Sequence, residues 1–161
     1  HLGDINILVS FALLPALGTF FVAVGAYDPQ SLLTILPIGL ITVAILHANN
    51  TRDVKTDLQA GLGTITTSVS LMNAKAIYTF EIFAPYALAL LYVVLLGQPW
   101  TLLAVVLTLP LALRNVRTMI QAEDDLPYRG IQRLDQTTAQ LQMAFGLLYA
   151  LGFFLGSWLE V

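Results

Sequence analysis

The most constraining feature of the sequence is a series of long segments that contain no Asp, Glu, Lys or Arg. A helix needs about 20 predominantly apolar residues to cross the hydrocarbon core of a bilayer. The first, second and fourth of these segments each fit one crossing, and the third is longer. The segments lie between Asp4 and Asp28, between Asp28 and Arg52, between Glu81 and Arg114, and between Asp135 and Glu160.

The third segment is divided by Gly97-Gln98-Pro99, a turn signal with apolar residues on both sides. We therefore expect an all-α fold, a polytopic transmembrane helix bundle with five spans in a single domain over residues 1–161. The predicted spans are about residues 5–27, 30–48, 76–96, 99–118 and 136–158.

The composition excludes several classes of protein. Hydrophobic residues make up 57% of the 161 residues and charged residues 11%, whereas a soluble domain has about a quarter charged residues and a disordered segment has low hydrophobicity. Seven Lys and Arg in total are too few for a nucleic-acid-binding surface. The chain has no cysteine, which excludes disulfides, thiolate metal sites and a cysteine nucleophile.

The positive charges all fall on one side of the predicted bundle. With five spans, the N-terminus and the loops 49–75 and 114–135 share one side, and the remaining turns and the C-terminus share the other. Cytoplasmic loops of membrane proteins carry an excess of Lys and Arg. We expect an integral, multi-pass protein surrounded by membrane lipids, with both loops cytoplasmic, the N-terminus inside and the C-terminus outside. The basic residues are Arg52, Lys55, Lys75, Arg114, Arg117, Arg129 and Arg133.

A polar stretch directly follows the second predicted span. If the helix continues through it, Asn49, Asp53 and Asp57 are spaced i, i+4, i+8 and lie on one face. Carboxylate oxygens together with phosphate oxygens form a site that suits Mg²⁺, and Arg52 and Lys55 lie beside that face as candidate phosphate contacts. From spacing alone, the alternative is a solvated helix end in a cytoplasmic loop.

The same stretch carries a family resemblance. Residues 49–57, Asn-Asn-Thr-Arg-Asp-Val-Lys-Thr-Asp, followed by Ala60-Gly61 and Thr64, resemble the second aspartate-rich motif of the UbiA superfamily of intramembrane prenyltransferases. The string is similar to the pattern of the menaquinone-type branch, N-N-x-R-D-x-x-x-D-x-x-A-G-x-x-T. Shorter similarities lie at residues 2–4, 17–19, 109–114 and 145–148.

The resemblance implies a nine-helix bundle around a lipid-accessible chamber, in which Mg²⁺ bridges two aspartate-rich loops to a prenyl diphosphate. Ionisation of the diphosphate gives an allylic cation that alkylates an aromatic acceptor. In the menaquinone-type branch the acceptor is 1,4-dihydroxy-2-naphthoate, and the product enters membrane quinone biosynthesis. The residues assigned by this resemblance are Asp53 and Asp57 as catalytic, Asn49, Asp53 and Asp57 as metal ligands, and Asn49, Asn50, Arg52 and Lys55 as substrate-binding.

The family's first motif, N-D-x-x-D-x-x-x-D, occurs nowhere in this sequence, which begins with His1 rather than methionine. The five predicted spans match the last five of the nine helices. We therefore expect the C-terminal half of a larger bundle, whose other motif comes from a missing N-terminal half or from a partner membrane chain. The alternative is a non-catalytic, UbiA-derived transmembrane subunit in a larger membrane complex, because two carboxylate sets that act on one diphosphate lose most of their catalysis when one is removed.

Three further features carry expectations of their own. His47 precedes the motif and is placed either as a supporting donor or as a cap at the membrane interface, and Glu81 is expected at interface depth, paired with Lys75. Gly152-x-x-x-Gly156 predicts close packing of the last helix against a neighbour.

Overall fold

The computed structural model describes residues 3–123 and 130–159, without the side chain of Asp4. Arg129 and the part of loop 114–135 around it lie outside the described residues. Within the described ranges the chain is all-helical, which confirms the predicted fold class. The helical segments long and apolar enough to cross a membrane are Ile5–Val24, Pro29–Gln59, Leu71–Leu96, Trp100–Ile120 and Leu134–Leu159.

The first span is built from three pieces, which are α1 (Gly3–Leu8), a π-helical turn (Val9–Leu13) and α2 (Leu14–Val24). Pro15 lies in the first turn of α2 and has no N–H to donate. The wider turn ahead of it is closed by the Leu14 N–H, which donates to the Val9 carbonyl oxygen. The span ends before the predicted residue 27, because Gly25 adopts a left-handed conformation with φ of 73°.

The second span, α3 (Pro29–Gln59), has 31 residues. The side chain of Asp28 caps its start by accepting a hydrogen bond from the Gln30 N–H at 3.0 Å. At 1.5 Å per residue the helix is roughly 46 Å long, against about 30 Å for the hydrocarbon core. It therefore continues past the predicted end at residue 48 and carries the whole 49–57 motif in one continuous helix.

The remaining helices begin and end where local caps place them. α4 (Ile65–Ser68) is capped reciprocally by Thr64 and Thr67. α5 (Leu71–Leu96) begins before the predicted residue 76, because the Ser70 side chain accepts from the Asn73 N–H. The fourth span is a 3₁₀ helix (Trp100–Thr108) followed by α6 (Leu109–Ile120), and α7 (Leu134–Leu159) is the fifth.

α3 lies at the centre of the bundle, where it packs against α5, α7, α4 and the first span. Small residues such as Ala44 and Ala48 line its buried face and let α5 approach closely. Two apolar clusters fill the interior at different depths. One includes Tyr78, Ile82, Met119, Leu134 and Leu141, and the other includes Ile41, Leu102, Val105, Phe145 and Tyr149.

The last helix packs against the 3₁₀ segment through its glycines, as the sequence predicts. A Cβ added at Gly156 would lie 2.2 Å from the Cβ of Pro99, and one at Gly152 would lie 2.8 Å from the Thr101 carbonyl oxygen. The Thr101 hydroxyl donates to the Gly152 carbonyl oxygen at 2.5 Å. The Gly152/Gly156 face of α7 is therefore covered by the fourth span.

The first span stands apart from the other four in its burial. Only 6% of its most apolar stretch is buried, against 28 to 39% in the other spans. Phe11, Val22 and Val24 remain largely exposed. The first span therefore presents a broad apolar surface to whatever surrounds the described bundle.

Candidate functional site

The 49–57 motif is organised around the guanidinium of Arg52. Its Nε and Nη2 donate to the two carboxylate oxygens of Asp53, each at 2.8 Å. Its Nη1 donates to Asp135 Oδ2 at 2.8 Å, and Nη2 also donates to Asn49 Oδ1. We call these four residues, Asn49, Arg52, Asp53 and Asp135, the Arg52 cluster.

The cluster ties the C-terminal part of α3 to the start of α7. Asn49 and Arg52 are three residues apart on α3 and therefore lie on one face. Asp135 lies in the first turn of α7, where a carboxylate is favoured by the positive end of the helix dipole. Its other oxygen accepts from the Gln136 N–H at 2.8 Å, so the carboxylate is held on both sides.

The cluster carries one cation and two carboxylates, a formal net charge of −1. The side chains of Arg52, Asp53 and Asp135 are 25%, 38% and 22% exposed. Solvent therefore reaches these charged side chains but does not surround them. A cluster of this kind leaves excess negative charge within reach of a cation from solution.

The other residues predicted for the site lie beside the Arg52 cluster and are not part of it. Asp57 is half-buried on the next turn of α3, and its carbonyl oxygen accepts from the Leu62 N–H. Lys55 lines a separate cavity of about 270 Å³ with Thr66 and Thr67. Asn50 is half-buried beside Asn49. The guanidinium of Arg52, predicted as a phosphate contact, is engaged by three side chains.

Sequence reasoning missed Asp135, which appeared only as the boundary of an apolar segment. It lies 83 positions from Arg52 along the chain. An acid in the first turn of a helix is common, and no local pattern distinguishes this one. Only the packing of α7 against α3 brings the two residues together.

A buried polar pair lies deeper in the bundle than the cluster. His47 is completely buried, and its Nδ1 lies 3.6 Å from Oε1 of Glu81, which is 5% exposed. From the sequence, Glu81 was expected at the membrane interface, paired with Lys75. That expectation is wrong, because Glu81 is buried in the interior of the bundle. Lys75 instead donates to the Ala122 carbonyl oxygen. Neither ring nitrogen of His47 has a hydrogen-bond partner among the described residues.

Two apolar cavities lie along α3, and one of them adjoins the Arg52 cluster. The nearer one, of about 280 Å³, has Asn49 and Asp135 at its polar end and Ile7, Ile45 and Leu46 along its wall. Phe11 lines this cavity and also a larger one of about 560 Å³ between the first span, α3 and α7. We call them the Asn49 cavity and the Phe11 cavity. Phe11 lines both cavities, and the charged end belongs to the Asn49 cavity.

The geometry of Asn49 and Asp53 fits a partly protein-coordinated Mg²⁺. Their side-chain oxygens converge on one point, which the guanidinium of Arg52 holds. Among residues 3–123 and 130–159 no three His, Cys, Asp or Glu side chains form a metal-binding group. Mg²⁺ commonly takes one or two carboxylates and completes its shell with water and substrate phosphates. These residues therefore suit a metal that arrives with a phosphorylated ligand.

Comparison with known sequences identifies the family. The model of the UbiA prenyltransferase family matches residues 1–130, a range that includes the first four spans and the 49–57 motif. The chain belongs to the UbiA prenyltransferase family. The match confirms the family resemblance of the motif, while the UbiA roles of its individual residues stay predictions.

The curated relatives within the UbiA family include proteins named UbiA prenyltransferase domain-containing protein 1. The one from Gallus gallus is 33% identical over 158 residues, which cover 96% of this chain and 44% of that protein. Those from Xenopus tropicalis and Homo sapiens are 34% and 32% identical, over 42% and 43% of their lengths. The chain therefore spans less than half the length of these relatives.

Proposed function

We propose that the chain takes part in Mg²⁺-dependent transfer of an isoprenyl group from a prenyl diphosphate to an aromatic acceptor of the 1,4-dihydroxy-2-naphthoate type, in membrane quinone biosynthesis. The observation that carries the proposal is the Arg52 cluster at the end of the Asn49 cavity. A prenyl diphosphate has the same two-part character, with a charged head on an apolar chain. Membership of the UbiA family supports the reaction class.

The proposed roles follow from the chemistry of the leaving group. The carbon–oxygen bond of the allylic diphosphate breaks, and its electron pair leaves with the diphosphate. A ring carbon of the acceptor bonds to the allylic carbon, and the carboxylate on that ring carbon leaves as CO₂, which returns the electron pair of its bond to the ring. Bound Mg²⁺ would neutralise the charge that develops on the diphosphate. Asn49, Asp53 and Asp57 would hold this ion.

The arginine and its neighbours have a different proposed role. Arg52 fixes the side-chain oxygens of Asn49 and Asp53 through its fork of donors, which reduces the freedom that these ligands would lose on binding a metal. Asn50 and Lys55 are proposed to donate to the diphosphate. Arg52, whose N–H groups are all engaged in this structure, would donate to it once Mg²⁺ takes over the oxygens of Asn49 and Asp53. The Asn49 and Phe11 cavities exclude water from the chain of the prenyl group.

The remaining half of the site is proposed to come from elsewhere. The chain spans 42 to 44% of the vertebrate relatives compared above, and the first aspartate-rich motif of the family is absent from its sequence. An N-terminal half of a longer polypeptide, or a partner membrane chain, would supply that motif. The menaquinone-type pattern at residues 49–64 supports the naphthoate-like acceptor.

The test replaces carboxylates in the complete protein that carries this chain. Asp53→Asn and Asp57→Asn should each lower Mg²⁺-dependent formation of the prenylated naphthoate by about 100-fold or more, because each removes charge from the metal site. The matched control is Asp28→Asn, the same change at the opposite end of α3, where Asn also caps a helix. Unchanged turnover in the Asp53 and Asp57 variants would contradict the proposed roles, whereas a complete, folded protein without prenyl transfer would fit a non-catalytic subunit.

A further inference from the structure

A second polar cavity lies between the C-terminal part of α6 and the first turns of α7. It has a volume of about 370 Å³, and Arg114, Asn115, Arg133, Gln136 and Gln140 line it. No Asp or Glu is among the residues that line it in the described part of the chain. Two arginines and no acid from the described residues give this concave surface a positive charge.

This α6/α7 cavity is separate from the Arg52 cluster. The residues that line the Asn49 cavity and the α6/α7 cavity are different. Asp135 turns toward α3 and Arg52, whereas the adjacent Gln136 lines the α6/α7 cavity. The first turn of α7 thus divides an acidic cluster on one side from a basic cavity on the other.

The arginines of the α6/α7 cavity are available to a ligand. Arg114 and Arg133 are exposed and form no ion pair within residues 3–123 and 130–159. Arg52, by contrast, is engaged by two carboxylates. The cavity's two threonine hydroxyls, of Thr118 and Thr137, donate to carbonyl oxygens of their own helices. The donors left for a ligand are therefore guanidinium and amide groups.

Asn115 provides the second observation. The residue lines the cavity but is only 2% exposed, and its amide nitrogen has no hydrogen-bond partner among the described residues. Buried amide groups are nearly always hydrogen-bonded, so an orphan group of this kind needs an explanation. A ligand oxygen in the cavity would supply the missing partner, because the planar amide can present its NH₂ group to that side.

We propose that the α6/α7 cavity binds a phosphate group. Guanidinium groups bind phosphate oxygens through paired, charge-assisted hydrogen bonds, and the cavity offers two of them around one buried amide. The phosphate comes either from the headgroup of an anionic phospholipid or from free phosphate in solution. The inference does not rest on the prenyl transfer proposed above, because it uses different residues.

The test measures phosphate binding directly, on the complete protein purified in detergent. In the first arm, native mass spectrometry counts phosphatidylglycerol and phosphatidylcholine retained at equal concentrations. In the second arm, radiolabelled inorganic phosphate is titrated onto the lipid-depleted protein. The double variant Arg114→Gln/Arg133→Gln should lower binding by about tenfold or more in whichever arm shows it. The matched control is Arg117→Gln, an exposed arginine on α6 that does not line the cavity.

The two arms separate the sources of the phosphate. Preferential retention of phosphatidylglycerol that only the double variant loses identifies a lipid headgroup. Binding of inorganic phosphate that only the double variant loses identifies a soluble ligand. Equal binding by the double variant and Arg117→Gln in both arms would overturn the proposal.

A second variant tests the buried amide without changing any charge. Asn115→Leu should weaken phosphate binding severalfold, since it removes the buried amide beside the cavity as a donor. If this variant instead unfolds at a higher temperature and binds as tightly as the unchanged protein, Asn115 is only a buried orphan and takes no part in the site. A circular dichroism spectrum checks that each variant is folded.

Discussion

At the scale of single residues, Arg52 is the cation that Asn49, Asp53 and Asp135 bind in this structure. Its planar fork reaches Asn49, Asp53 and Asp135 at once. A lysine at this position would keep the charge but has a single compact ammonium group, which cannot serve three partners in fixed directions. The geometry of the guanidinium, more than its charge, therefore holds α3 and α7 in register here.

Replacing Arg52 by lysine tests this view. Arg52→Lys should lower the free energy of unfolding by about 1 to 2 kcal/mol, between the values for exposed and buried ion pairs, because the cluster is half-exposed. The measurement is the unfolding midpoint in detergent micelles titrated with a denaturing detergent. Arg117→Lys on the exposed face of α6 is the control and should change little. An equal effect of both variants would contradict the role of the fork.

The buried pair His47 and Glu81 leads to a second prediction. His47→Leu or Glu81→Leu alone leaves the other polar group buried in an apolar interior, which is costly. The double variant removes both groups and should be less destabilised than the sum of the single variants, by about 1 to 3 kcal/mol. Unfolding of the four proteins gives this coupling free energy, and additive effects would show that the 3.6 Å approach of the two side chains has no energetic weight.

Local spacing predicted only part of the candidate site. Asn49 and Asp53 share a helix, so the rule that residues four apart lie on one face was enough to bring them together. Asp135 could not be predicted in the same way, because its position depends on how α7 packs. The burial of Glu81 was missed for a similar reason, since hydropathy gives the depth of a residue along a span but not the face on which it lies.

At the scale of helices, charge-free segments located the spans but not their ends. Apolar length decides whether a helix crosses the membrane. Where the helix begins or stops depends on single caps, such as Ser70 ahead of α5 and Gly25 after α2. The 3₁₀ geometry of Trp100–Thr108 was not predictable, because an apolar sequence is equally compatible with an α-helix.

Substitution of the α7 glycines tests the close packing of α7 against the fourth span. Gly156→Ala should destabilise the protein by about 1 to 3 kcal/mol, because the added Cβ would overlap the ring of Pro99 and force the two helices apart. The measurement is again the unfolding midpoint in micelles. Gly146→Ala on the same helix is the control, since its Cβ would meet Ile38 at an ordinary 3.9 Å. Equal stability of the two variants would show that α7 packs less tightly than described.

At the scale of the whole molecule, the distribution of charge predicts an orientation in the membrane. Ala26 and Leu62 lie in exposed turns at opposite ends of α3. Because the chain contains no cysteine, Ala26→Cys and Leu62→Cys place single thiols within it. A membrane-impermeant maleimide should label position 62 only from the cytoplasmic side and position 26 only from the other. Labelling of both from one side would contradict the topology.

The length of α3 also allows one helix to contact the apolar cavities and to carry the charged 49–57 motif. Its apolar part lies among the cavities near Phe11, and its last turns carry the 49–57 motif. An amphiphile bound along this helix would have its polar head in water and its apolar chain in the hydrocarbon region of the membrane. The sequence predicted this division of polarity, whereas the cavities themselves depend on the packing of the first span against α3 and α7.

The position of Arg52 also has a consequence for the order of assembly. Asp53 of α3 and Asp135 of α7 would repel each other if no cation lay between them. Arg52 supplies that cation from within the chain, so the two helices can dock without a metal. If the site takes Mg²⁺ as proposed, assembly of the bundle would not depend on the supply of magnesium, and the ion would enter with the substrate.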